Sequence, residues 1–150
     1  MINIIHVNFG GTATTRALYI FTPWVLMWST GSGHGRHLQC SQAFTFSLVN
    51  PSGLGPTRTS LVTGHEAYAI FCRVTDGPSF GGGSDLYISD HANTNNRTYS
   101  NLGHTYNLPP GQQSTFFTGT KNFTVTDYEV FGLQQWPSQY ERWSFHETVK

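Results

Sequence analysis

The chain has 150 residues and a mass of 16.7 kDa, the size of one domain. Only 11% of it is charged, and Lys+Arg 8 against Asp+Glu 8 leaves a formal net charge of zero. That balance argues against binding nucleic acid or anionic lipid through a basic surface, and 15% aromatics argue against disorder.

In chain order, the first strong signal is the apolar run 17–28 (ALYIFTPWVLMW). It is too short to cross a bilayer as a helix and Pro23 interrupts it, so no integral membrane segment is expected. As a secretory core it has only Arg16 as a basic residue before it and no clean small-x-small site after it. It reads as a buried strand. Residues 43–49 (AFTFSLV) alternate, with Phe44, Phe46 and Leu48 on one face and Thr45 and Ser47 on the other, the pattern of a half-buried strand. The turn Asn50-Pro51-Ser52-Gly53 closes it. Residues 67–74 (AYAIFCRV) are apolar on both faces, as in a central strand, and Asp76-Gly77-Pro78 ends them.

A short strand is expected over 85–89, between Gly81-Gly82-Gly83 and the polar run 90–96. One helical turn is expected over 113–118. The last strand spans 122–131 (NFTVTDYEVF); Phe123 and Val125 share one parity, Tyr128 and Val130 the other. Keeping both pairs on the core side requires one extra residue, so a β-bulge is expected near Thr126-Asp127. In the tail, Trp136, Tyr140 and Trp143 stand at helical spacing. Short strands separated by frequent turn signals predict a mainly β protein, an antiparallel sandwich.

Few residues suggest chemistry. Cys40 and Cys72 make no disulfide framework and read as buried thiols. Phe80-Gly81-Gly82-Gly83 lacks the Lys-Ser/Thr ending of a phosphate loop and reads as a backbone constriction where no side chain fits. Asp85, Asp90, His91 and Asn93, Asn95 and Asn96 are rich in oxygens of the kind calcium takes, but match no EF-hand spacing; the plainer reading is an Asx-turn loop. Seven histidines are scattered without zinc spacing. No Gly-x-Ser-x-Gly elbow occurs, and the sequons at Asn96 and Asn122 do not establish secretion. An enzyme is not supported by spacing, and no cofactor is expected.

The C-terminal two-thirds resembles the TLDc domain of the oxidation-resistance proteins. The matching stretches are 43–53 (AFTFSLVNPSG), 68–72 (YAIFC), 77–90 (GPSFGGGSDLYISD), 100–106 (SNLGHTY) and 123–133 (FTVTDYEVFGL). The glycine-rich segment, the strand after it and the closing DYEVFGL together make the resemblance specific. It implies a sandwich of two antiparallel sheets with a few short helices. It also implies a link to oxidative-stress protection and to binding the vacuolar proton-pumping ATPase, and it brings no catalytic residue with it. The N-terminal third departs from the pattern: only Leu18-Tyr19-Ile20-Phe21 resembles the family's early strand, and a helix-rich start is not seen. The expected organisation is a divergent or incomplete N-terminal part (1–42), a TLDc core (43–133) and a tail (134–150). Such a domain would leave the apolar faces of 43–49 and 67–74 undercovered.

The leading expectation is a non-catalytic, cytoplasmic interaction module with a protein partner. Gly81, Gly82, Gly83, Asp85, Asp90, His91 and Asn93 are its candidate binding residues, because loops carry recognition. The alternative is a secreted sandwich binding glycan or calcium through the 85–96 loop. A thiol-based peroxide scavenger using Cys72 or Cys40 ranks last, since an apolar strand disfavours a thiolate.

Overall fold

A computed structural model describes residues 2–9, 16–22, 34–73 and 75–133. Two antiparallel sheets frame them and helix is nearly absent among them, so the chain is mainly β. Sheet A contains β1 (Ile2–Phe9), β2 (Arg16–Thr22), β4 (Phe44–Val49), β5 (Thr57–Ser60) and β11 (Val125–Leu133), in the order β11-β1-β2-β4-β5. Sheet B contains β3 (His34–Leu38), β6 (Ile70–Arg73), β7 (Ser79–Phe80), β8 (Leu86–Tyr87), β9 (Thr98–Ser100) and β10 (Asn122–Phe123), in the order β10-β9-β8-β7-β6-β3. Among the described residues helix is limited to the 3-10 turn Glu66–Tyr68, less than the few short helices expected. That turn takes the first half of the expected strand 67–74, so β6 begins only at Ile70. Residues 113–119 close on themselves through the Phe116 and Thr118 N–H groups, which donate to the Gln113 and Thr115 carbonyls.

Alternation in sheet B separates two rows. Ile70, Phe80, Leu86 and Ser100 are register partners in turn and all are buried. Phe71, Ser79, Tyr87 and Tyr99 form the row on the opposite face. The inward row meets sheet A in one apolar core. Phe9 of β1 and Phe123 of β10 touch across the sheets with ring centroids 4.8 Å apart.

The strand expected over 122–131 is two strands. Asn122–Phe123 pairs in sheet B, the chain crosses at Thr124, and Val125–Leu133 pairs in sheet A. Phe123 and Val125, on either side of the crossing, are both buried. The expected bulge is present: Val125 pairs with Phe9 and Asp127 with Asn8, which leaves Thr126 as the extra residue.

In β4 the alternation holds but the buried face is the other one. Ala43, Thr45 and Ser47 are buried, Phe44 and Phe46 are half-buried, and Leu48 is 47% exposed. Two contacts account for the inversion. Thr45 and its register partner Thr59 satisfy each other's hydroxyls at 2.6 Å, so the inward face needs no further polar partner. On the other face the Arg58 guanidinium lies 3.9 Å from the centroid of the Phe44 ring, which in turn packs on Phe46. The bulk of the core comes instead from Tyr106, Phe80, Phe117 and Ile70, all fully buried.

Among the described residues before 42, β1 lies between β11 and β2, and β3 pairs with β6. The aromatic positions of the tail lie outside the described residues.

Candidate functional site

Asp85 organises the centre of the molecule. Its carboxylate is fully buried, and Oδ2 accepts four consecutive backbone N–H bonds, from Gly103 (3.2 Å), His104 (3.2 Å), Thr105 (2.9 Å) and Tyr106 (2.9 Å). Successive N–H groups turned to one anion form a nest that compensates the buried charge. The positive φ of Gly103 (117°) allows the turn. Held this way, the segment clasps both sheets. The Val62 N–H donates to the Thr105 carbonyl (2.8 Å) and the Asn107 N–H to the Ser60 carbonyl (2.9 Å) at the end of β5. On the other side, the Tyr106 hydroxyl donates to the Ala69 carbonyl (2.8 Å) beside β6.

The clasp also fixes the glycine turn. The Gly82 N–H donates to Thr105 Oγ1 (2.8 Å). A Cβ on Gly81, at φ +90°, would overlap Asp85 Oδ1, and one on Gly82 would press on Tyr68 at 3.1 Å. The constriction expected from the sequence is therefore real.

Gly82 borders a cleft of about 430 Å³ on the outward face of sheet B, within the size range of ligand sites. Its floor is Ser79, a small residue 1% exposed in the middle of the outward row. Phe71 and His37 make one wall, with centroids 4.9 Å apart; Tyr87 and Tyr99 make the other, 5.3 Å apart. At one end Arg73 meets Asp76 at 3.6 Å, and the Tyr87 hydroxyl donates to Asp76 Oδ1 at 3.4 Å. Burial first, then the Asp76 carboxylate, pushes the Tyr87 phenol up, so it stays a proton donor at neutral pH. Ser84 borders the cleft in the left-handed region (φ 53°), a strained backbone of the kind found at functional sites.

Of the seven residues picked from sequence, only Gly82 borders this cleft. Gly81 is buried against Asp85, and Gly83 lies exposed beside His104. Asp85 is engaged by the 103–106 nest and does not join the 90–96 loop. Asp90 and His91 form an exposed pair at 2.8 Å, and Asn93 is exposed. Asn95 donates to the Asp90 and His91 carbonyls and accepts from the Arg97 N–H, the Asx-type closure that was the plainer expectation. Among the described residues, no three His, Cys, Asp or Glu side chains gather where they could hold a metal ion.

The cleft residues are not legible in the sequence because each strand contributes only one or two outward side chains. The one available signal was the paired parity of Phe71 and Arg73. Cys72, between them, faces inward at 0% exposure, and burial raises its thiol from about 9 to about 11.

The profile of the TLDc domain matches residues 19–134. The chain belongs to the TLDc domain family. Neither the curated proteins nor the solved structures offer a match. The TLDc match begins within β2 and takes in every later described strand, so sheet B, the clasp and the cleft lie within it, while β1 of sheet A precedes it. None of the described helices is long and apolar enough to cross a membrane.

Proposed function

We propose that this TLDc domain is a non-catalytic interaction module of the cytoplasm that contributes to oxidative-stress protection by binding a protein partner, the vacuolar proton-pumping ATPase first among them. The observation that carries this reading is the family match over residues 19–134. The outward cleft supports it: tyrosines, an arginine and a small floor residue on a rigid sheet are the composition of recognition surfaces. The thiol chemistry points the same way. Cys40 and Cys72 are both buried, and a thiol raised to about 11 is almost wholly protonated at neutral pH, whereas the thiolate is the reactive form.

The test is binding of the purified 150-residue chain to the detached soluble sector of the ATPase, with circular dichroism to show that the chain is folded. Saturable binding supports the reading; a folded chain that does not bind overturns the choice of partner. Peroxide consumption by the chain, lost in a Cys72→Ser variant, would overturn the non-catalytic part.

A further inference from the structure

We infer that the partner of this module is engaged through the cleft on sheet B, and that the occupant is an extended protein segment presenting an aromatic side chain next to a carboxylate. The inference rests on the interaction-module reading and adds the surface and the chemistry of the ligand. Shape gives the first half. Ser79 lies between Phe71 and Tyr87 in the register, so a small residue, its hydroxyl donating to Ser84 Oγ (3.5 Å), separates two ring-bearing walls. A flat side chain entering the cleft would meet rings on both sides, and ring–ring contact adds to area burial. At about 430 Å³ the cleft takes a side chain with its neighbours rather than a folded surface.

Charge gives the second half. Arg73 stands at one end with its guanidinium 53% exposed, and its contact with Asp76 is a single 3.6 Å approach. That is well beyond the 2.7–2.9 Å of a charge-assisted hydrogen bond. Most of its five donors remain for a planar anion, which a carboxylate matches bidentately. Asp76 also lines the cleft, and its Oδ1 accepts from the Tyr87 hydroxyl at 3.4 Å, so part of its charge is already compensated within the site. A nucleic-acid ligand fits poorly, because a single cleft arginine is no phosphate-tracking stripe and the chain is neutral overall.

The test uses the whole chain and a library of random displayed heptapeptides. Selection on the wild type should enrich sequences with Phe, Tyr or Trp beside Asp or Glu. A synthetic peptide carrying that consensus should bind saturably and shift backbone amide resonances at Phe71, Ser79, Tyr87 and Tyr99. Arg73→Glu, a half-exposed position with little to lose in folding, should weaken it about tenfold or more, as should Tyr87→Ala. No enrichment over a blank support, a basic consensus, or equal binding by Arg73→Glu overturns the inference. The two readings can fail separately. ATPase binding that persists unchanged in Arg73→Glu removes the cleft and keeps the module. Peptide selection that succeeds while the ATPase does not bind removes that partner and keeps the cleft.

Discussion

At the scale of single residues, Asp85 decides most. Buried anions are tolerated when hydrogen bonds compensate them, and four N–H donors converge on one of its oxygens. Asp85→Ala would strip the acceptor from Thr105 and Tyr106, both buried, and should cost about 3 kcal/mol or more in urea denaturation. Asp85→Asn keeps an amide oxygen but loses the charge, and should cost about half as much. Wild-type stability in both variants would contradict the role of the nest. Cys72 gives a second residue-scale expectation. Its folded thiol titrates near 11 rather than 9, so the folded state holds the proton longer than the unfolded chain does. Its contribution is whole below about pH 9 and declines as the pH rises towards 11. Iodoacetamide at pH 7.5 should leave Cys72 unlabelled by mass spectrometry in the folded chain and label it once urea is added; rapid labelling without urea would contradict the buried, protonated thiol.

At the scale of elements, β4 is the instructive strand. Hydropathy assigns its apolar face to the core, and the structure assigns the small, hydroxyl-bearing face instead. Leu48→Lys should therefore cost no more than about 0.5 kcal/mol, where a core leucine would cost several times that. Thr45→Val and Thr59→Val, singly, each strand a buried hydroxyl and should cost about 1–2 kcal/mol; together they should cost less than their sum, because neither hydroxyl is left alone. Additive losses in that double-mutant cycle would mean the two hydroxyls do not support each other. Other elements were legible from sequence for physical reasons. The Asn50–Gly53 turn shows in its residues, and Gly53 does take a positive φ of 71°. The bulge at Thr126 followed from a parity conflict between Phe123 and Tyr128. The crossing at Thr124 was not legible, because Phe123 and Val125 alternate as smoothly in two sheets as they would in one.

At the scale of the molecule, the mainly β, two-sheet architecture and the family were both readable: turn spacing gave the first, five ordered motifs the second. The site was not. Its residues come from β3, β6, β7, β8, β9 and the turns beside them, one or two from each, and single outward side chains on the two- and three-residue strands β7, β8 and β9 carry no period. Sequence reasoning therefore looked to the loops and found Gly82, the one loop glycine that reaches the cleft. Asp85 was picked as a ligand contact and turned out to hold the clasp that joins the two sheets and positions that glycine. The most direct measurement is equilibrium binding of the folded chain to the soluble sector of the vacuolar proton-pumping ATPase, wild type beside Arg73→Glu. The expected result is saturable binding by the wild type, weakened about tenfold or more by the charge reversal. A wild-type chain that is folded and does not bind would contradict the account.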